Sequence, residues 1–181
     1  MTSNALDVFI ERTRSVWGPL TTDMATNCRA SLEGLLQAPM SEPWLSALHA
    51  EASETKELYR DPQHGFVLLV HAEFAGLYRP PHDHGRSWGI HAVQKGEIEM
   101  ATYARIEDPD GKVRLVKRDE TLVRPGQSKV FLPGDIHDTH CVSGPALLYR
   151  FTERDLKKED KEEHRVTRYA ERDGIWTVGL A

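Results

Sequence analysis

The chain has 181 residues, a formal net charge of −5 and a pI near 6.0, which favours one domain or one domain with a small appendage. This balance argues against a general binder of nucleic acid or of anionic membranes, because such proteins carry a basic excess. The first ten residues contain no apolar signal segment, no apolar run approaches a membrane span, and Cys28 and Cys141 form no C-x-x-C pattern. We therefore expect a cytoplasmic protein without disulfide bonds.

The first fifty residues predict three helices. Apolar residues recur at helical spacing in each of the three segments. Ser3 is placed to cap the first helix, Thr21 precedes the second, and Ser41 precedes a third that has Pro43 in its first turn.

Short β-strands dominate the rest of the chain. Six runs rich in Val, Leu, Ile and aromatic residues, separated by turns with Gly or Pro, predict strands over 66–74, 88–93, 98–105, 113–116, 129–132 and 146–152. The charge run over 156–165 predicts a solvated linker or an exposed helix face, and Asp173-Gly174 predicts a closing hairpin. We therefore expect an all-β domain over 53–181, a sandwich or barrel, on which a helical segment over 1–52 packs.

Three histidines form the most informative feature of the sequence. His82 and His84 belong to Pro80-Pro81-His82-Asp83-His84-Gly85, and in a strand their alternate side chains would face the same interior. His137 follows a Pro-Gly turn further along the chain. Neutral imidazole suits Fe, Zn, Cu and Ni, so His82 and His84 are candidate metal ligands. The alternative is a set of hydrogen-bonded core histidines.

The glycines around these histidines resemble the two cupin motifs in their spacing. The residues of this chain that match the two motifs are Gly76, His82, His84, Gly96, Gly126, Gly134 and His137. The resemblance implies a jelly-roll-like cupin β-barrel that holds one divalent metal ion on the three histidines. Gly89 occupies the position where the first motif usually has a glutamate, so the resemblance implies a site without that fourth ligand.

Within the cupins, the chain resembles the cysteine dioxygenase family over about residues 58–152. The resemblance rests on His82-Asp83-His84, Trp88, Gly89, His137 and the helical N-terminal part. These are iron(II) enzymes that oxidise small thiols to sulfinates, and the bacterial relatives acting on 3-mercaptopropionate and similar acids look closer. The resemblance implies one Fe²⁺ per chain, O₂ as co-substrate and a small thiol as substrate. The metal motif leaves open another metallocupin, such as a carbon–carbon-cleaving dioxygenase or an isomerase, or a non-catalytic small-molecule-binding cupin.

Arg150 lies on the strand where the family usually has a Ser-x-His-x-Tyr sequence, which this chain lacks. Strand alternation over 146–152 puts Leu148, Arg150 and Thr152 on one face. An arginine pointing into a barrel is costly unless an anion meets it. We therefore predict that Arg150 binds the carboxylate of an anionic thiol, with an internal ion pair as the alternative.

Arg60 and His91 are two further candidates for substrate contacts. Arg60 lies near the place where the family has a carboxylate-binding arginine, and its alternative role is a surface ion pair. His91 follows Gly89 by two residues and should share the inward face. There it would contact the substrate or the metal ligands, unless it is a hydrogen-bonded core histidine.

Overall fold

The computed structural model describes residues 4–50 and 54–179. It contains four helices, α1 (Ala5–Val16), α2 (Thr22–Leu35), α3 (Pro43–Ala50) and α4 (Leu156–Lys161). The strands are β1 (Thr55–Arg60), β2 (Val67–Glu73), β3 (Tyr78–His82), β4 (Gly89–Glu107), β5 (Val113–Val123), β6 (Ser128–Phe131), β7 (Ile136–Thr152), β8 (Tyr169–Arg172) and β9 (Ile175–Val178). In this part of the chain, no helix has both the length and the apolar character that crossing a membrane requires.

The three predicted N-terminal helices are present, with small differences at their starts. Asn4 caps α1, whereas the predicted cap, Ser3, lies outside the described residues. Thr21, which precedes the second predicted helix, caps α2. The carbonyl of Glu42 accepts the first hydrogen bond of α3, so the prediction that Ser41 caps this helix was wrong by one residue.

Seven strands form one antiparallel sheet in the order β1-β2-β7-β4-β5, with β3 paired to β7 and β6 paired to β4. Sequence patterns predicted turns at Lys95-Gly96 and Ser143-Gly144, but β4 and β7 run through both sites as strands of 19 and 17 residues. The register shifts between Val93 and Ile98, where the two strands cross closely. A Cβ atom on Gly96 would lie only 2.5 Å from the Ser143 carbonyl oxygen. A Cβ atom on Gly144 would lie 2.5 Å from the backbone nitrogen of Ala75, so each glycine permits a close approach of other backbone instead of ending its strand.

Other strand predictions were incomplete for local reasons. The sequence patterns missed β1, which is half exposed, and β3, which is only five residues long and contains two prolines. They also predicted too short a β5, because most of its side chains are exposed and polar. The predicted closing hairpin is present as β8 and β9, joined through Asp173 and Gly174.

The two faces of the central strands bury different clusters. On one face, apolar residues of β2, β4 and β7 pack against α1, α2 and α3 in a core that includes Phe9, Leu32, Leu45, Leu68, Ile90, Tyr149 and Phe151. The opposite face encloses a second cluster of Val93, Ile98, Met100, Val123, Phe131, Cys141, Ala146 and Leu148. Because both halves of β4 and of β7 contribute to this second cluster, the sheet folds back on itself around an interior.

The charge run over 156–165 is not simply solvated. It begins with α4, where the side chain of Glu159 is buried with 1% of its surface exposed. Burying a carboxylate requires charged or hydrogen-bonding partners, and Arg154 and the backbone N–H of Arg86 fill that role. The prediction of a linker or exposed helix face is therefore wrong for the centre of this segment.

Candidate metal centre

Strand pairing brings His82 and His137 together. They are register partners on β3 and β7, and their ring centroids lie 4.7 Å apart. His84 lies in the loop after β3, so the expectation that His82 and His84 share one strand was wrong. Its ring nevertheless lies 4.7 Å from that of His137 and 5.6 Å from that of His82. One ring nitrogen from each of the three residues lies within 4.8 Å of the others.

Backbone carbonyls orient two of the three rings. His82 Nδ1 lies 2.8 Å from the Pro80 carbonyl oxygen, and His137 Nδ1 lies 3.2 Å from that of Asp135. A proton on each Nδ1 makes these hydrogen bonds and leaves each Nε2 with a lone pair for a metal ion. His84 differs, because neither of its ring nitrogens has a hydrogen-bond partner among the described residues.

All three imidazoles are held in the neutral form that ligates metals. Burial, reinforced by the neighbouring His82, lowers the pKa of His137 to about 3. Burial also lowers the pKa of His82, and it lowers the pKa of His84 well below the usual value with a further contribution from His137. Neutral imidazole is the species that binds a divalent ion.

The histidine set fits a divalent transition metal. Buried polar atoms normally have a hydrogen-bond partner, yet His84 Nδ1, His84 Nε2 and His137 Nε2 have none within the described ranges. Ligand nitrogens bound at about 2.1 Å from one ion lie roughly 3 to 4 Å apart, so the set needs only a small contraction to surround it. Among the residues that the structure describes, no carboxylate belongs to this cluster.

Packing around Gly89 explains why the histidine cluster has no carboxylate at the position where the first cupin motif usually has a glutamate. A Cβ atom at this position would lie 2.8 Å from the Phe151 carbonyl oxygen and 3.6 Å from His84 Nδ1. Backbone therefore fills the space that any side chain at residue 89 would need. The position of the usual glutamate is closed by packing.

A cleft of about 800 Å³ leads to His82 and His84. Arg150 lines this cleft from β7, on the same face as Leu148 and Thr152, whereas Tyr149 and Phe151 point into the helical core as predicted. Arg150 Nε is buried and has no hydrogen-bond partner in the described part of the chain. Burial and the nearby positive charge of Arg79 lower the pKa of Arg150 to about 10, so the guanidinium remains charged at neutral pH.

Arg60 lies at the mouth of the same cleft, but its guanidinium already has partners. It pairs with Glu57 and with Asp155, each at 2.7 Å. These two carboxylates raise the pKa of Arg60 above its usual value. An incoming anion would have to displace one of them, so the geometry favours the alternative of an ion pair for this residue.

His91 lies beside the histidine cluster without belonging to it. Its ring centroid is 5.2 Å from that of His137 and 5.6 Å from that of His84, and Phe131, which stacks on His137, lies 5.0 Å from it in a T-shaped arrangement. The side chain is buried, and neither ring nitrogen has a partner within the described residues. Burial lowers the pKa of His91 well below the usual value. This imidazole is neutral and available for a hydrogen bond.

The sequence favoured a structural role for His71 and did not indicate that α4 lines the cleft. His71 on β2 lines the cleft; its Nδ1 lies 2.9 Å from Thr55 Oγ1, whereas its Nε2 is buried and without a partner in the described ranges. Strand alternation with Val67 and Leu69 could have placed it there. The wall formed by α4 carries no comparable signal, because its charged sequence is typical of a solvated helix.

Comparison with known proteins gives likenesses of fold. No model of a protein family matches the chain, and no curated protein matches its sequence. KdgF from Halomonas sp. aligns at 17% identity over 54% of this chain and 74% of that chain, with a TM-score of 0.43. The Cnp3 cupin domain from Schizosaccharomyces pombe aligns at 15% identity over 61% of this chain and 66% of that domain, with a TM-score of 0.44.

Oxalate oxidase in complex with glycolate aligns at 23% identity, with a TM-score of 0.38. The alignment covers 57% of this chain and 51% of that one, so the chain spans about half the length of the oxidase. These solved structures are similar to the chain over only part of its length. Their low TM-scores and identities carry no argument about function, which rests on the residues of the cleft.

Proposed function

We propose that this chain is an iron(II)-dependent thiol dioxygenase that oxidises a small anionic mercapto acid to its sulfinate. One observation carries the proposal: a cluster of three neutral histidines without a carboxylate opens, through His82 and His84, onto a cleft that also contains Arg150, whose buried Nε has no partner among the described residues. Three protein ligands would leave neighbouring positions of a six-coordinate ion free for two exogenous ligands. The resemblance to the cysteine dioxygenase family supports iron as the metal and a thiol as the substrate.

The net reaction is RS⁻ + O₂ → RSO₂⁻. Both oxygen atoms are transferred to sulfur, sulfur loses four electrons and dioxygen gains them, so no further reductant is needed. The thiol proton is released to solvent. The chemistry that iron(II) supplies when bound is the binding of thiolate and O₂ side by side and the electron transfer between them. His82, His84 and His137 would hold the ion.

Arg150 provides orientation for the substrate. Its planar guanidinium suits bidentate binding of a carboxylate, and its buried Nε has no partner in the described residues. A carboxylate bound there would keep the thiol end of a short mercapto acid beside the histidines. Holding reactants in place in this way lowers the entropic part of the barrier.

His91 provides a hydrogen bond at the inner end of the site. It is the register partner of Arg150 across β4 and β7, and it approaches both His84 and His137. A ligand bound among the three histidines would meet this imidazole. Apolar cleft residues such as Val67, Leu69 and Leu77 would exclude water around the reacting atoms.

Oxygen uptake by the iron(II)-loaded protein tests the proposal. The panel is 3-mercaptopropionate, mercaptosuccinate, cysteine and cysteamine, and each sulfinate is measured by mass spectrometry. We expect uptake and sulfinate in equal amounts, with preference for the thiols that carry a carboxylate, and none with the metal-free variant His137→Ala. Fully iron-loaded protein that consumes no O₂ with any of the four thiols would reject this activity in favour of another metallocupin reaction or of ligand binding alone.

A further inference from the structure

Residues 154–168, here called the strap, consist of α4 and the extended chain after it. They pack on residues 83–86, the ligand loop that carries His84. Asp83 is the main point of contact: its backbone N–H donates to the Thr167 carbonyl at 3.0 Å, and its Oδ1 accepts from the Thr167 N–H at 2.9 Å. The same Oδ1 accepts from the N–H of Gly85 at 3.0 Å. One carboxylate thus joins both sides of His84 to the strap.

A buried carboxylate of the strap makes a second connection to the ligand loop. Glu159 Oε2 accepts a hydrogen bond from the backbone N–H of Arg86 at 3.3 Å. Gly85 permits this close approach, because its φ is +61° and a Cβ atom there would lie 2.9 Å from Glu159 Oε2. The charged side chain of Glu159 is therefore part of the packing around the loop.

The other side of the loop contacts the turn that precedes His137. Gly134 N–H donates to the Gly85 carbonyl at 3.2 Å. The loop is therefore held between the strap and the turn that positions another histidine of the cluster. Contacts with both sides fix the backbone on either side of His84.

His84 depends on this backbone more than the other two histidines do. Hydrogen bonds from Nδ1 to a carbonyl orient the rings of His82 and His137, whereas neither nitrogen of the His84 ring has a partner in the described ranges. Its ring direction is therefore set through its backbone and by packing. Asp83 and Gly85 flank it directly, so loss of the Asp83 hydrogen bonds would loosen this ligand specifically.

From these contacts we infer that Asp83 is a positioning residue for His84, and that metal affinity depends on docking of the strap through Thr167. The inference rests on the metal centre of the proposed function. It does not require that the substrate be a thiol. It also assigns a role to the charge run: the run supplies a wall of the cleft and holds the ligand loop in shape.

Metal affinity of four variants tests the inference, with Co²⁺ as the probe in competition with a chelator. Asp83→Ala should raise the dissociation constant by about 10- to 100-fold, the range seen when partners of metal ligands are lost. Asp83→Asn keeps an oxygen at Oδ1 and should bind Co²⁺ nearly as wild type does. Thr167→Pro removes the N–H and should behave like Asp83→Ala, whereas Thr167→Ala keeps both backbone groups and should have no effect.

The absorption spectrum of bound Co²⁺ and the thermal stability of the metal-free variants separate positioning from a general loss of structure. We expect a changed spectrum in Asp83→Ala at a similar thermal midpoint of the metal-free form. Equal affinity of Asp83→Ala and wild type overturns the inference. Equally weak Co²⁺ binding by Asp83→Asn and Asp83→Ala also overturns it, since the negative charge of Asp83, and not its hydrogen bonds, would then determine the metal affinity. If Asp83→Ala does not fold, the two Thr167 variants decide. Failure of the wild type to bind metal would instead reject the metal centre itself.

Discussion

His91 and Arg150 lie directly opposite each other on β4 and β7, beside the three histidines of the candidate metal centre. Both ring nitrogens of His91 and the Nε of Arg150 are buried and without partners in the described part of the chain. A buried polar group without a partner costs about 1–3 kcal/mol. A ligand with oxygen atoms would satisfy both side chains, so this pair marks the place where we expect an anionic substrate to bind.

Replacement of Arg150 should weaken binding of a carboxylate selectively. We expect Arg150→Ala and Arg150→Lys to raise KM for 3-mercaptopropionate tenfold or more, because a hydrogen bond to a charged group contributes about 1.5–3 kcal/mol. Cysteamine has no carboxylate, so its KM should change little. Steady-state O₂ uptake measures both values, and metal content should remain that of wild type.

The matched control for Arg150 is Arg124→Ala. The side chain of Arg124 is 58% exposed and pairs with Glu97 away from the cleft, so its loss should leave KM unchanged. If Arg150→Ala keeps the wild-type KM for 3-mercaptopropionate but unfolds more easily, Arg150 is structural and does not bind substrate.

Replacement of His91 by leucine should separate stability from activity. The unpaired buried imidazole costs free energy, so His91→Leu should stabilise the metal-free protein by about 1 kcal/mol. It should also lower kcat about fivefold or more, the equivalent of one hydrogen bond of about 1 kcal/mol. Chemical unfolding measures the stability, kinetics measure kcat, and metal analysis shows whether the ion is still bound. His140→Leu, on a half-exposed imidazole beside Glu99, is the control and should leave kcat unchanged. Loss of metal from His91→Leu would show that His91 is a ligand.

A fourth ligand cannot be restored at Gly89 without cost. A Cβ atom there would lie 2.8 Å from the Phe151 carbonyl oxygen, so Gly89→Ala and Gly89→Glu should both destabilise the protein by about 1–3 kcal/mol. Urea unfolding measures the loss. Gly34→Ala is the control, because Gly34 is a helix residue with open space around it. This substitution should stabilise the protein by about 0.5–1 kcal/mol. A stable Gly89→Glu variant with tighter metal binding would contradict the steric argument.

Asp61 makes stability depend on pH. Burial by itself raises the pKa of this carboxyl, but hydrogen bonds from the His64 N–H, Arg14, Tyr59 and the Gln63 N–H outweigh it and lower the pKa to about 2. The unfolded value is about 3.9, so the stabilisation is present above that pH and is lost as the pH falls towards 2. Asp61→Asn should lower the free energy of unfolding by about 2 kcal/mol at pH 7 and by much less at pH 2.5.

Urea unfolding at the two pH values measures this difference. Asp110→Asn is the control, because the Asp110 side chain is 55% exposed in a loop and its replacement should leave stability nearly unchanged at both pH values. A loss in Asp61→Asn of the same size at both pH values would mean that the ionised carboxylate is not the source of the stability.

Local patterns predicted much of the fold and of the site. Helical spacing and capping located α1, α2 and α3 within one or two residues at their starts, and alternation placed Arg150 on the cleft face and Tyr149 in the helical core. These predictions succeeded because they depend on neighbours in sequence: caps within a turn, and side chains two residues apart on a strand. The role of Arg60 could not be predicted from its neighbours in sequence, because its ion-pair partner Asp155 lies 95 residues away along the chain.

By itself, the sequence identified three imidazoles as candidate metal ligands, through their ligand chemistry and the resemblance of their spacing to the cupin motifs, although His82 and His84 do not share a strand. Tertiary structure alone decided that β4 and β7 continue through their glycines, because backbone from a distant part of the chain approaches each glycine too closely for a side chain. It alone decided that Glu159 is buried, because an anion enters a protein interior only where partners meet it, and one of them, Arg86, lies 73 residues away along the chain. It also decided that Gly89 excludes a fourth ligand, since the obstacle is a carbonyl oxygen on another strand.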